Sequence, residues 1–581
     1  MNKTHLKLLV SSLLIFGGTG CSDSNSGGQD VAEGGIEGTG RVATSSTTVG
    51  TITGFGSVFV NGVEYETDTA NVDTDDNENA TEDDLEIGMI VTIQGSVNAD
   101  SVTGDAVSIR YSEDIKGYVQ AIDVNAGTLI IMGQEVTTDE LTVYDDVTLE
   151  TLLVGDFVEV SGLTSSSGVL LATRIEKETV TENPVIKIKG AISNLDTLNA
   201  SFSLGYLSVD YSSAEIDLGD DDETLTDGVV VKVKGSQTGV GMPLIATEVE
   251  IKGKEYEVDE GDSLELDGII ENFVSATNFT VNGQSVTTNV ATEYEHGNSS
   301  FLVLGERVKV EGALNREGQL VADEIEFHQD SDYEVEGTVE AVNLEAKTVT
   351  VLGVTFVVNE QTQIEDDTDS DIRFFNITNI NVGDFVEVKG FDNNGVLIAT
   401  KLEREDEDID NEVELRSLAT GIDVVEFTFN LSGVVIHTSI STEFEDARSE
   451  NVDQATFFST LEENANIKIE GSVINGQVVA VEVEVKDEEE REDGADDSEI
   501  SGLVSSVSET GFTILHYTIE LSDTTELEVD DETLNSADFL AQLQVGDEVE
   551  VEGLLIDNTI TATSVEVESE DDDDEDDSIG A

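Results

Sequence analysis

One eight-residue pattern recurs seven times along this chain and constrains its fold more than any other feature. A glycine opens it, apolar and polar residues alternate, and a second glycine closes it. It reads GMIVTIQG at Gly88–Gly95, GDFVEVSG at Gly155–Gly162, GVVVKVKG at Gly228–Gly235 and GERVKVEG at Gly305–Gly312. It continues as GDFVEVKG at Gly383–Gly390, a degenerate NANIKIEG at Asn464–Gly471, and GDEVEVEG at Gly546–Gly553. Such alternation buries one face of a strand and wets the other. The opening Gly-Asp suits a turn entering the strand, and the closing Gly permits a bulge before the next one. A further strand follows, as at Val169–Ile175, Leu320–Phe327, Val396–Leu402 and Ile560–Val567. Upstream, a strand led by Gly117, Gly268, Gly337 or Gly502 runs into a hairpin, such as Thr128–Met132 against Gln134–Thr138.

Three strands, a connector or short helix, then two strands is the order of the five-stranded OB barrel, whose near-closure limits exposed strand edges. The expected fold is therefore all-β: a tandem array of about seven small OB-like five-stranded barrels. A seven-bladed propeller ranks below it, because blades repeat at about 40 to 50 residues and these marker glycines lie farther apart. The repeats are read as residues 48–111, 114–178, 185–253, 263–329, 332–404, 412–487 and 498–569. Units this small, in a chain whose one cysteine can form no internal disulfide, are expected to pack on their neighbours. The acidic connectors Arg404–Glu412 and Asp487–Asp497 read instead as extended junctions, and residues 570–581 as an acidic disordered tail.

Charge sorts the candidate partners. Asp and Glu number 126 against 26 Lys and Arg, a formal net charge of -100. Nucleic-acid binding needs basic residues that displace counterions from phosphates, so it is excluded as a function class, and anionic headgroups are poor partners for the same reason. Self-repulsion of this size calls for screening, which suggests a saline habitat.

The amino terminus reads as an address. Lys3 and Lys7 give a basic start, Leu6–Phe16 gives an apolar run, and small residues lead to Cys21. The run is too short to span a bilayer and matches a secretory signal over residues 1–20. Small residues ending in cysteine resemble the lipobox of bacterial lipoproteins, although Gly18 stands where an aliphatic residue is usual. That resemblance implies lipidation of Cys21, and Ser22 in place of Asp implies the outer membrane. Residues 21–47, rich in Ser, Gly and Asp, read as a flexible tether.

The lipobox-like start, the Gly-Asp-x-Val-x-Val-x-Gly repeats and the strand that follows them resemble the bacterial family known as domain of unknown function 5666, over about residues 48–569. Ala172-Thr173-Arg174-Ile175, Ala246-Thr247-Glu248-Val249 and Ala399-Thr400-Lys401-Leu402 carry the second motif. The sixth repeat departs most, with Asn464 for the marker glycine and Ser417 for the leading one. The resemblance implies a fold and supplies no activity.

No catalytic residues are expected. His296, His328, His437 and His516 occupy different local contexts, do not recur from repeat to repeat, and accompany no Gly-x-Ser-x-Gly elbow. The absence of Trp removes the commonest sugar-stacking platform and leaves Tyr and Phe as substitutes. The best ion candidate is the acidic stretch holding Asp73, Asp75, Asn77, Asn79 and Glu82, hard oxygen ligands suited to Ca²⁺; Asp217–Glu223 is similar. The expected function is a non-enzymatic cell-envelope lipoprotein, a repeat scaffold or binding and spacer protein with no cofactor. Its expected partners are the membrane, through the lipid anchor, and an envelope protein or polysaccharide. The alternative is a Ca²⁺-dependent adhesive or matrix-binding surface protein.

Overall fold

A computed structural model describes residues 45–568 apart from 76, 181–183, 219–223, 238–241, 253–257, 259, 369, 407–411, 447–450, 475, 487–494, 509, 523, 530, 531 and 557. The signal segment, Cys21, the tether up to residue 44, the acidic tail and most of both acidic connectors lie outside the described residues.

The second barrel shows how the pattern closes. Its first strand, Ile115–Asp123, pairs antiparallel with the second, Thr128–Ile131, which pairs with the third, Gln134–Thr137. The third runs parallel to the fifth, Leu170–Lys177, through Val136 opposite Leu170. The fifth pairs antiparallel with the fourth, Phe157–Thr164, and the fourth returns to the first. This is a closed five-stranded OB barrel. The same circuit recurs in the barrels spanning Ser45–Tyr111, Ile186–Ile251, Ser263–Phe327, Tyr333–Glu405, Glu412–Val485 and Ala495–Glu568.

Both glycines of the marker have identifiable work. The opening position has a positive φ in every repeat, including 91° at Gly155 and 69° at Asn464, so the degenerate sixth copy keeps the residue type that best tolerates that region after glycine. At the closing glycine the register between fourth and fifth strands shifts in all seven barrels, as at Ser161/Gly162 and Glu552/Gly553. That glycine always faces the alanine of the second motif. A Cβ on Gly162 would lie 2.4 Å from the Leu171 carbonyl oxygen, and one on Gly390 would lie 2.1 Å from that of Ile398. The Gly–Ala pair is thus a backbone approach that a larger residue on either side would open.

The connector is mainly strand. In each barrel a short segment lies parallel along the fifth strand, as Val143–Asp145 does against Arg174–Glu176. Among the described residues, α-helical turns occur at Gln454–Thr460 and Ser536–Gln542, capped by the Asp453 and Asn535 side chains. Two boundaries differ from expectation. Ser45–Thr47, read as tether, are strand, because they pair with Gln94–Ser96 on one side while Ser46 and Thr47 pair with the fourth barrel on the other. Ala495–Asp497, read as connector, are strand, pairing with Leu554–Ile556.

The barrels do not stack in sequence order. Every sheet pairing between barrels joins two first strands. Ser46–Val49 run parallel to Ser263–Leu266, linking the first barrel to the fourth. Ile115 pairs with Ile188, linking the second to the third, and Ala121–Asp123 pair with Ile500–Gly502, linking the second to the seventh. Glu334–Glu336 pair with Glu414–Arg416, linking the fifth to the sixth. The second and third barrels share one hydrophobic core, as do the fifth and sixth.

Several side-chain contacts between barrels are made by the scarce cations. Lys232 of the third barrel, 1% exposed, pairs with Asp75 of the first and lies 3.4 Å from Glu113, whose other oxyanion partner is Lys187 at 2.6 Å. The buried Arg174 of the second donates to the Ile87 carbonyl of the first at 3.2 Å. Arg373 of the fifth donates to Glu86 at 2.8 Å and to the Leu85 carbonyl at 2.5 Å, with its guanidinium 4.2 Å from the Phe55 ring.

Candidate functional site

The pairing of the first barrel with the fourth leaves a cleft between their outer walls, and the fifth barrel covers it. The cavity is about 150 Å³, with Leu141 of the second barrel at its edge. Thr51 and Thr53 reach it because they flank Ile52, which points into the core of the first barrel. Asn61 and Gly62 enter on a hairpin turn with φ values of 54° and 82°, the type I′ geometry that fits twisted strands.

The fourth barrel supplies the charges. Arg307 and Lys309 occupy two of the three outward positions of its marker strand, where the seventh barrel has Glu548 and Glu550. Arg307 grips Asp267 with two bonds, Nε to Oδ1 at 3.3 Å and Nη2 to Oδ2 at 2.8 Å. Burial pushes the Asp267 carboxyl up, and the guanidinium more than reverses this, leaving it below its ordinary value. Lys309 donates to Glu326 at 2.5 Å, and the Gln361 amide of the fifth barrel donates to both Glu326 oxygens at 2.9 Å. His296 Nε2 lies 3.7 Å from Glu326, its ring edge-on to Phe391 of the fifth barrel. Burial, and then Arg307, hold His328 below the usual imidazole range. The hydroxyls of Thr51 and Thr53 are enclosed without a hydrogen-bond partner.

Sequence reasoning missed this site. It treated the histidines as unrelated, whereas His296 and His328 line one cleft. The readable signal lay in the marker strand itself, where Arg307 and Lys309 stand in place of the acidic residues of the seventh copy.

The residues expected to bind Ca²⁺ are placed elsewhere and do not converge. Asp73 faces Arg110 at 4.0 Å, Asp75 is taken by Lys232 and by the Ser112 hydroxyl at 2.6 Å, and Glu82 accepts from Thr67. Asn77 accepts from the Asn79 backbone at 3.0 Å, so these two amides serve their own turn. Asp76 and residues 219–223 lie outside the described residues. Two other groups offer three ligand atoms within 4.8 Å of one another: Glu295, His296 and Glu326, and Glu387, Glu403 and Glu405. Each already holds an ammonium, Lys309 in the first and Lys401 in the second, the latter 2.5 Å from Glu403 and 3.9 Å from Glu387.

Comparison with known proteins is consistent with the repeats. Sequences of the family described as domain of unknown function (DUF5666) match residues 116–176, 189–250, 267–326, 336–403, 420–484 and 501–566. The first barrel lies outside those matches yet has the same strand circuit. No curated protein matches. Among solved structures, Drosophila Unr CSD456 is 16% identical over 37% of this chain and 97% of its own, with a TM-score of 0.10, too low to carry an argument. Six matched repeats cover more than half of the sequence, and the chain belongs to the DUF5666 family.

Proposed function

We propose that this chain is a non-enzymatic cell-envelope lipoprotein, exported and anchored to the outer membrane through Cys21, whose barrels form a rigid binding scaffold. The observation that carries the scaffold reading is the mode of assembly: barrels join first strand to first strand, and Lys232, Arg174 and Arg373 reach from one barrel to another. Such a body presents surface; its best-formed cleft mixes groups from several barrels, with the charged ones paired to each other. The anchor reading rests on Leu6–Phe16 and the small residues before Cys21. Among the described residues no helix is long and apolar enough to cross a membrane. In the Ca²⁺-dependent adhesive alternative, Asp75 and Glu82 would exchange their present partners, Lys232 and Thr67, for the ion.

Intact-mass analysis and membrane fractionation of the native protein beside a Cys21→Ser variant test the anchor. A diacylglycerol mass on Cys21, with loss of membrane association in the variant, is expected. An unmodified, freely soluble protein would overturn it. Hydrolase activity abolished by a single carboxylate substitution would overturn the scaffold reading.

A further inference from the structure

Each barrel joins its second and third strands through a two-residue turn, and in five of the seven the second turn residue is glycine: Gly62, Gly133, Gly283, Gly353 and Gly433, with φ between 69° and 87°. The exceptions are Tyr206 in the third barrel and His516 in the seventh. Those two residues meet. Their rings stack with centroids 4.2 Å apart and planes 10° apart, and Tyr517 packs on the same imidazole at 4.1 Å. Glycine suits a turn of this kind, so its loss at the two positions that touch shows that these residues serve the contact and not the turn.

We propose that this contact is a proton-operated latch, which joins the third and seventh barrels while His516 is neutral and opens when the imidazole takes a proton. This goes beyond the scaffold reading and does not depend on Cys21. The second barrel supplies the frame. Its Gly133 carbonyl accepts from the Tyr206 backbone at 2.9 Å, and its Glu135 accepts from the Tyr206 hydroxyl at 3.2 Å.

The place where the proton would arrive sets the direction. The His516 side chain is 10% exposed, and its Nε2 faces a Glu135 oxygen at 3.5 Å. That oxygen is an acceptor, so Nε2 carries the hydrogen of the neutral ring and Nδ1 keeps the lone pair. Nδ1 is enclosed and has no hydrogen-bond partner among the described residues. A bare lone pair there is tolerable; a charged N–H with neither acceptor nor water is much less so. Glu135 pulls the other way from the far side of the ring, but it is 39% exposed and shares the same oxygen with Tyr206, so solvent weakens its hold. Asp123, beside Tyr517, accepts from the Ala126 backbone at 2.9 Å. Burial outweighs Glu135 and holds His516 below the usual imidazole range. A base whose value is lowered in the closed contact favours closure above its ordinary range, and that preference is lost as pH falls through the lowered value. The seventh barrel stays tethered throughout, because Ile500–Gly502 pair with the second barrel through the backbone.

The test uses the full chain. NMR of ¹³C-labelled histidine, with the His516 signal identified by its loss in His516→Phe, follows the titration, and hydrogen exchange by mass spectrometry, corrected for the intrinsic effect of pH, reads the turns at residues 205–207 and 515–517. His516 is expected to titrate below the ordinary value of about 6.5. Both turns should exchange up to about 30-fold faster at pH 5 than at pH 7.5, the limit for an ordinary imidazole that stays unprotonated while the contact is closed, with residues 500–502 unchanged. His516→Phe keeps a stacking ring without a titrating nitrogen and should abolish the acid response. Tyr206→Gly restores the common turn residue and should move the His516 titration back toward the ordinary value. The proposal is overturned if His516 titrates at or above about 6.5, as an imidazolium stabilised by the tyrosine faces would. It is overturned equally if the turns exchange no faster in acid, if His516→Phe responds as the native chain does, or if Tyr206→Gly leaves the titration unchanged.

Discussion

Replacing Lys232 with Met removes one ammonium from the point where the first three barrels meet, and keeps most of the unbranched stem. The ammonium pairs with Asp75, lies 3.4 Å from a Glu113 oxygen, and donates to the Glu113 carbonyl at 2.9 Å and the Ser112 hydroxyl at 3.1 Å. With Lys232 and Glu113 only 1% and 3% exposed, water cannot take its place. Removing one partner of a buried pair costs about 3 to 5 kcal/mol, largely because the other charge is left uncompensated. Lys234, two residues along the same strand, is 28% exposed and pairs with Glu248 at 3.3 Å, an arrangement worth about 0 to 1 kcal/mol. Hydrogen exchange by mass spectrometry reports each region separately, which suits an array that need not unfold in one step. Peptides carrying Asp75, Glu113 and residue 232 should exchange about 10²- to 10³-fold faster in Lys232→Met and less than about tenfold faster in Lys234→Met. Adding Asp75→Asn to Lys232→Met should recover part of the loss by removing an unpaired charge. Equal effects of the two lysine variants would refute the claim that junction cations hold the barrels together.

Three further outcomes are expected. Burial, the largest cause in each case, raises Glu140, Glu336 and Glu403 to about 7 and Glu265 and Glu405 to about 8. A raised folded-state value means stability that is full below the unfolded carboxyl range and is lost as pH climbs through the folded values. Asp267 and Asp366 oppose this at the acid end: burial would raise both, but Arg307 and Arg404 hold them low, so their contribution disappears as pH falls through those depressed values. Urea midpoints at constant ionic strength should therefore fall from about pH 5.5 to 8.5; a rise across that window would contradict the burial of these carboxyls. Midpoints at fixed pH should increase from about 0.01 M to marine-strength NaCl as the Debye length contracts, and a flat response would remove the expectation of a saline habitat. At Asn464, φ 69°, Asn464→Gly should leave the sixth barrel as stable or up to about 1 kcal/mol more so, whereas Asn464→Ala should cost about 1 to 2 kcal/mol in thermal or urea unfolding; an Ala variant equal to Gly would disprove the conformational reading.

The repeat was legible because its constraints are local. Gly162 and Ala172 are close in sequence, and the contact between them follows from strand alternation plus one bulge. The strand pairing of Ser46 with Ser263, or of Ala121 with Gly502, was not legible, because nothing near either segment names its distant partner. The cleft was invisible for the same reason: Thr51 reads as an ordinary outward strand residue until the fourth and fifth barrels arrive. His296 and His328 looked unrelated because one follows the connector strand of the fourth barrel and the other ends its fifth strand. The acidic stretch at Asp73 shows the converse. Its ligand chemistry suits Ca²⁺, and what the sequence could not show is that a lysine from the third barrel pairs with the Asp75 carboxylate.

That substitution of an ammonium for a metal connects the electrostatics to the architecture. A chain with 126 acidic residues can bring acidic barrel walls together by binding external cations or by supplying its own, and Lys232 on Asp75 and Arg373 on Glu86 show the second route. With only 26 basic residues the route is limited, so other contacts must work without it. The seventh barrel illustrates this. Its marker strand carries Glu548, Glu550 and Glu552 and no cation, and it joins the second barrel by backbone pairing at Ile500–Gly502 and meets the third by stacking His516 on Tyr206, with ring centroids 4.2 Å apart. Backbone hydrogen bonds and ring contacts need no net charge, whereas two facing carboxylate walls do. The second barrel's marker strand likewise has no cation, and its Glu159 meets the first barrel by accepting from the Tyr111 hydroxyl at 3.0 Å, so cations are one means of joining these walls among several.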